Sequence, residues 1–260
     1  MSLKCMNNET QCAILIVSCD KYQDLWNSCI ILLRKFWKDC PFKVYLLSNT
    51  IKANFDDVMS ITVGNDYSWS ESLQNALDQI PETYVLLYIE DLYLTGHVQS
   101  EKIVQLVDWA IEKDINYLRL NPTPAPDIPY NNDVGIISKG SVYRSSVVFS
   151  LWKKDVLSKL LIKGENAWEF EEIGTVRSDD YDRFFASTKE LIPACNTVIK
   201  GVWEREAVKT ITKLGLKPDL AKRRAMNAKE NLVWKLKTLR SYIFLSIPPR
   251  FQRKVKALFR

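Results

Sequence analysis

The sequence predicts an α/β domain with a mostly parallel central sheet flanked by helices, followed by a basic helical tail. Three observations predict it. Strand-sized apolar runs alternate with helix-period segments through the first half, the pattern of βαβ units with right-handed crossovers. The run YVLLYI at 84–89 is apolar at every position, as a central strand covered on both faces must be. Charge is segregated: from Lys209 onward there are 15 Lys or Arg against two acids, whereas residues 1–208 hold 21 basic and 29 acidic side chains.

The elements follow in order. Residues 13–17 read as a buried strand ending in Ser18, Cys19 and Asp20. Residues 24–38 space Leu25, Trp26, Cys29, Ile30, Leu33, Phe36 and Trp37 at helical period on one broad face. A second strand, 43–47, stops at Ser48-Asn49-Thr50, and a short third covers 60–63. Ser70 is placed as the cap of a helix carrying Leu73, Ala76, Leu77 and Ile80. The strand 84–89 runs straight into Glu90-Asp91. A helix at 101–112 and a strand at 116–120 complete this half. Four prolines (Pro122, Pro124, Pro126, Pro129) make 121–132 an irregular loop and a boundary. Beyond it, 134–138 and 143–149 read as strands and 151–161 as a helix. The expected organisation is 1–121, then 122–208 as the second half of the same domain, then the tail 209–260.

Composition excludes several classes. A chain of 260 residues that is 47% hydrophobic and 26% charged is globular, not disordered. No apolar run approaches the roughly 18–20 residues of a membrane span. The first residues, MSLKCMNNETQ, lack the apolar core of a signal peptide, which points to the cytoplasm. Cys5, Cys12, Cys19, Cys29, Cys40 and Cys195 show no metal or redox spacing and read as reduced, mostly buried thiols. The single histidine, His97, disfavours a zinc site and histidine-based triads.

The segment YVLLYIEDLYL (84–94) carries the chemistry. An apolar strand delivers two adjacent carboxylates, and ionised carboxylates are costly to bury without a partner. A divalent cation that also holds phosphate oxygens is one such partner, and Mg²⁺ is commonly bound by one or two carboxylates plus phosphates. Two solvated acids in a turn are the alternative. In GENAWEFEEIG (164–174), Glu165, Glu169, Glu171 and Glu172 surround Trp168 and Phe170. A carboxylate beside an indole has the raised pKa that suits a general base, and an aromatic face suits a sugar; a solvated acidic helix start is the alternative. Arg144 either clamps a phosphate or pairs with an acid on a neighbouring strand.

The order of these motifs resembles a nucleotide-sugar-dependent glycosyltransferase of the GT-A type, as found in bacterial surface polysaccharide synthesis. AILIVSCD (13–20) resembles its first strand, VYLLSN (44–49) its second, and YIEDLYL (88–94) its acidic metal-binding strand. YSWSESLQNAL, YRSSVVFSLWKKDVL and ENAWEFE also resemble those proteins, and the likeness spans about residues 12–205. The resemblance implies a Rossmann-like GT-A fold and a nucleotide-sugar donor contacted by Ser18, Asp20, Asn49, Trp69, Ser70, Glu90, Asp91 and Arg144. It implies Mn²⁺ or Mg²⁺ on Asp91, and Glu169 or Glu171 as general base in an inverting transfer to a glycan or lipid-linked acceptor. The acidic pair is Glu-Asp where the commonest pattern is Asp-x-Asp, and no late metal-binding histidine has a candidate. A nucleotidyltransferase making an activated sugar is one alternative. It generally needs a glycine-rich loop after the first strand, where this chain has SCDKYQD. A non-catalytic membrane-bound scaffold is another.

In the tail, Lys222, Arg223, Arg224, Lys229, Lys235, Lys237 and Arg240 interleave with Leu232, Val233, Trp234, Leu236, Leu239, Tyr242, Ile243, Phe244 and Leu245. That pattern predicts an interfacial helix on the anionic inner face of the cytoplasmic membrane. A packing helix with a basic outer face is the alternative, and the acidic body argues against nucleic acid.

Overall fold

The computed structural model describes residues 11–65 and 68–258. Cys5 with the rest of 1–10, Tyr67 of the helix motif and Arg260 of the tail lie outside the described residues. The first elements are β1 (Cys12–Val17), α1 (Gln23–Phe36), β2 (Lys43–Ser48), β3 (Val58–Thr62), α2 (Trp69–Leu77), β4 (Tyr84–Ile89), β5 (Leu92–Leu94), α3 (Ser100–Glu112) and β6 (Tyr117–Arg119). Then come β7 (Ile128–Pro129), β8 (Val134–Ile136), β9 (Ser150–Lys153) and α4 (Lys154–Leu160). A continuous helical stretch follows: α5 (Ala167–Glu169), a π-helical turn at Phe170–Gly174, and α6 (Thr175–Arg177). The last elements are β10 (Phe184–Ser187), β11 (Ala194–Asn196), β12 (Val198–Ile199), β13 (Val202–Trp203), α7 (Arg205–Lys213), α8 (Ala228–Leu245) and α9 (Pro249–Leu258).

The main sheet has nine strands in the order β3-β2-β1-β4-β9-β6-β10-β8-β7. The β3-β2-β1-β4 block is parallel throughout. β9 runs antiparallel between β4 and β6, so the stretch beyond the proline-rich loop inserts into the sheet of the first half. Period-2 alternation divides the core. Ile14, Ile16, Leu86 and Tyr88 face α1 and α3, whereas Ala13, Leu15, Val85 and Leu87 face α2 and α4. Because both faces are covered, these strands carry no polar alternation. Burying each such Leu or Ile contributes about 1.5–3 kcal/mol.

Three local expectations differ. Ser68, not Ser70, caps α2, accepting the Glu71 N–H at 3.2 Å. Residues 143–149 are not a strand: Tyr143 (φ 50°) and Phe149 (φ 42°) take left-handed backbone, and the polar side chains between them turn inward. Ser145 N–H reaches Thr175 Oγ1 at 2.9 Å, and Ser146 Oγ reaches Glu171 at 2.7 Å. Trp152 lies on β9 rather than a helix, fully buried against Tyr117. The short β10, paired with β6 and β8, has no counterpart among the sequence-predicted strands.

Among the described residues no helix is long and apolar enough to cross a membrane. The five described cysteines are free.

Candidate functional site

The carboxyl ends of β1, β2 and β4 open into a cavity of about 840 Å³. Parallel sheets present ligand crevices at this edge, and the volume is that of a small-molecule site. Val17, Ser18, Leu47, Ile89, Glu90 and Asp91 form its floor. Trp69 of α2, Val147, Asn166, Trp168 and Glu171 form one wall. The other wall comes from late in the chain: Lys200, Arg224, Met226 and, from α8, Glu230, Val233, Trp234 and Lys237.

The acidic pair is placed by register. Val17 pairs with Ile89, so Ser18 and Glu90 leave the sheet side by side. The turn is then pinned from outside, because the Asp91 carbonyl accepts Thr197 N–H at 2.9 Å and Thr197 Oγ1–H at 2.7 Å. β5 continues beyond it and pairs with β11. Burial raises the Glu90 carboxyl well above its ordinary range, and the charge of Asp91 raises it further. Burial also raises Asp91. The opposing forces are each residue's own backbone N–H and the field of Arg223, which is itself held by Asp24 at 2.6 Å. Two adjacent acids are therefore kept in a poorly solvated place, without a direct cationic partner among the described residues.

Among the described residues no group of three or more His, Cys, Asp or Glu side chains is arranged to hold a metal ion. Two adjacent carboxylates are the set that Mg²⁺ uses when substrate phosphates complete its shell, and Mn²⁺ shares the preference; the Cys19 thiol also lines the cavity. The donor chemistry fits an ion bound together with a phosphate ligand, not one caged by protein alone.

The other sequence-selected residues divide. Ser18 lines the cavity, and its Oγ accepts Trp26 Nε1–H at 2.7 Å. Trp69 lines it and leans on Phe170, ring centroids 5.5 Å apart. Asp20 is occupied elsewhere. Its carboxylate accepts N–H bonds from Asn49, Thr50 and Ile51 and the Thr50 hydroxyl, tying the ends of β1 and β2. Burial raises its pKa, but those bonds outweigh it and leave the group below its ordinary value. Asn49 returns the tie, accepting Asp20 N–H at 3.0 Å. Ser70 is buried and donates to the Ile162 carbonyl at 2.6 Å. Arg144 is buried and does not line the cavity, donating to the carbonyls of Ile137, Ser178 and Tyr181 over the Phe184 ring. It braces the helical stretch, and burial pulls its pKa down to about 10.

Glu169 and Glu171 are two residues apart on a helical stretch, so only one can face the cavity. Glu169 is exposed and closes a capping box, its Oε2 accepting Asn166 N–H at 2.8 Å. Glu171 lines the cavity, accepting Ser146 Oγ–H at 2.7 Å and Val147 N–H at 3.0 Å. Burial raises its pKa, opposed by those two bonds and by Arg119.

Tyr22, Trp168, Lys200, Arg224, Trp234 and Lys237 also line the cavity. They were not selected from sequence as donor contacts. One carried a signal: Ile199-Lys200-Gly201-Val202 is a two-residue hairpin turn between β12 and β13, with φ of 52° and 82° at its centre. Lys200 occupies a position that favours glycine or asparagine, and that turn brings its side chain to the cavity.

No protein-family model matches the chain, and no curated protein matches it in sequence. Solved structures do align. S. aureus TarS 1-349 is 12% identical with TM-score 0.47, over 71% of this chain and 59% of that one. The UTP-bound UGPase from Acinetobacter baumannii is 11% identical with TM-score 0.49, over 88% and 98%. A cytidylyltransferase from Leptospira borgpetersenii is 14% identical with TM-score 0.46, over 84% and 99%. This chain thus spans about three-fifths of the TarS chain it matches. These likenesses concern chain path alone, and the fold assignment rests on the sheet described above.

Proposed function

We propose that this chain is a glycosyltransferase that moves a sugar from a nucleoside-diphosphate donor to a hydroxyl of a glycan or lipid-linked glycan in surface polysaccharide synthesis. One observation carries the reading. Among the described residues the Glu90–Asp91 pair has no direct cationic partner, and it shares a ligand-sized cavity with Lys200, Lys237 and Arg224, the last of these paired with Glu230. That polarity suits a diphosphate flanked by cations, with a divalent ion that the two acids would hold.

In this reading Tyr22 and Trp69 offer aromatic faces to the base, and Ser18 lies at the ribose. Glu90 and Asp91 would hold Mg²⁺ or Mn²⁺, which when bound supplies Lewis-acid neutralisation of the departing diphosphate. Glu171 takes the proton of the acceptor hydroxyl as its oxygen bonds to the anomeric carbon. The bond from that carbon to the diphosphate oxygen breaks, its electron pair leaving with the phosphate, and the centre inverts. Burial raises the pKa of Glu171 above that of an ordinary carboxylate, which makes it a stronger base than a solvated glutamate. Trp168, 66% exposed at the cavity mouth, offers a stacking face to an acceptor sugar. We place this chemistry at the inner face of the cytoplasmic membrane, where the basic tail meets anionic lipid. The nucleotidyltransferase alternative is disfavoured because the turn after β1 contains no glycine.

A thermal-shift panel of nucleoside diphosphates and nucleotide sugars, with and without Mn²⁺, tests the reading. One nucleotide is expected to stabilise, by about 2.7 kcal/mol at a hundred times its Kd. Asp91→Asn is expected to remove the Mn²⁺-dependent increment and donor turnover. A panel without any stabilising nucleotide, or a fully active Asp91→Asn enzyme, refutes it.

A further inference from the structure

Helix α8 has two distinct faces. Glu230, Val233, Trp234 and Lys237 recur at helical spacing and line the cavity. On the opposite side Leu232, Leu236, Leu239 and Ile243 form a second stripe, and they are 59%, 57%, 57% and 63% exposed. Lys229 and Arg240 flank that stripe on one side and Lys235 on the other. None of the 18 residues of α8 is buried. Helices in proteins draw most of their stability from a packed apolar face, and among the described residues nothing covers the outer stripe.

The helix is nevertheless held at both ends. Before it, Arg223 binds Asp24 at 2.6 Å and the Lys21 carbonyl at 2.5 Å, and the Arg–Asp pair is nearly buried. After it, Arg253 of α9 binds Asp179 and the carbonyls of Ser141 and Thr175, and Lys256 meets Glu172 at 2.9 Å. α8 is thus a strap fastened across the cavity with an apolar, cation-edged stripe turned to solvent.

We propose that the outer stripe of α8 docks on an anionic lipid bilayer, the helix lying in the headgroup plane, and that docking tightens ligand binding in the cavity by fixing its α8 wall. Charge complementarity selects this occupant. Lys229, Lys235 and Arg240 beside the stripe repel the same stripe on a second copy, whereas anionic headgroups attract them. The aliphatic side chains enter the acyl boundary while Lys229, Lys235 and Arg240 stay at headgroup level. The docking stands independently of glycosyl transfer; the coupling rests on that reading, because it takes the cavity ligand to be the nucleotide.

Full-length protein is sedimented with vesicles of phosphatidylcholine alone or mixed with phosphatidylglycerol. Binding is expected to the mixed vesicles only and to weaken with salt. Leu236→Ser, Leu239→Ser and Ile243→Ser together should lower partitioning by roughly tenfold or more. Lys235→Gln and Arg240→Gln should cost about fivefold each. Because all five side chains are exposed, the unfolding temperature should stay at the wild-type value. Nucleotide affinity is then measured with and without mixed vesicles, and is expected to tighten for the wild type and not for the triple variant. Equal binding to neutral vesicles, no binding to either, or wild-type binding by the triple variant overturns the docking. So does a dimer that the triple variant loses, which assigns the stripe to a second copy. Unchanged nucleotide affinity on vesicles overturns the coupling. Vesicle binding by a chain that binds no nucleotide upholds the docking and rejects the glycosyl-transfer reading.

Discussion

Replacing Glu171 by Gln separates a chemical role from a structural one. The wild-type carboxylate accepts Ser146 Oγ–H and Val147 N–H, both partly buried. The Gln side chain has the same shape and keeps a carbonyl oxygen that accepts both bonds, but it cannot take up a proton at neutral pH. General-base catalysis contributes about 10²–10⁴-fold, so kcat should fall by that factor, equivalent to about 3–5 kcal/mol in the barrier. Nucleotide affinity should stay within about twofold, because the base acts on the acceptor. Glu171→Ala is the contrast. It leaves the Ser146 hydroxyl and Val147 N–H without their acceptor, at about 1–3 kcal/mol, or several degrees in Tm. The pH dependence has a definite sign. Burial raises the folded-state pKa of Glu171 above the unfolded value, so its contribution to stability is full below the unfolded carboxylate pKa and is lost as pH rises through the raised folded value. E171Q has no such group, and its stability should gain on the wild type over that window. The assays are steady-state turnover with the nucleotide sugar found by thermal shift, and urea denaturation over a pH series that starts below the ordinary carboxylate pKa and rises through the raised folded value. An E171Q enzyme that keeps more than about a tenth of wild-type kcat refutes the base assignment.

Two further expectations concern residues that the structure assigns to support. Asp20→Ala should lower stability by about 2 kcal/mol in urea denaturation, since it removes bonds to three backbone N–H groups that water can partly replace, while nucleotide affinity is retained. Its lowered pKa means that the stabilisation is present above the ordinary carboxylate pKa and is lost as pH falls through the folded value; a large loss of affinity at unchanged stability contradicts this placement. Arg223→Gln should cost about 2–4 kcal/mol by stranding the nearly buried Asp24, with Lys222 at 3.5 Å as the remaining cation. Adding Asp24→Asn should restore most of that loss, and additive losses in the double-mutant cycle would show that the pair is not coupled.

How much was legible depends on what each pattern encodes. The parallel block was readable because β1 and β4 are apolar at every buried position and α1 repeats its apolar residues at helical period. Glu90 and Asp91 were readable because two acids interrupt an apolar strand. Residues 143–149 misled because Val147, Val148 and Phe149 have strand composition, whereas Arg144, Ser145 and Ser146 find buried partners some 30 residues away that only the folded chain provides. Asp20 and Asn49 were correctly placed at strand ends, yet adjacent strand ends can bond to each other as readily as to a ligand. Their reciprocal bonds appear only when β1 and β2 pair. Glu169 and Glu171 could not be separated by composition; the phase of the helical stretch decides that Glu171 lines the cavity and Glu169 does not.

The linear order of apolar and polar residues determined the α/β class, the strand carrying the acidic pair and the charge of the tail. Those properties follow from local periodicity and composition, which a chain carries before it folds. Tertiary structure alone decided which polar groups are spent on holding the fold and which line the cavity. It also decided that the basic tail forms a wall of the cavity, bringing Arg224, Trp234 and Lys237 to residues more than a hundred positions earlier. The physical reason is that a hydrogen bond or ion pair between distant segments is selected by packing geometry, and that geometry exists only after the whole core has been buried.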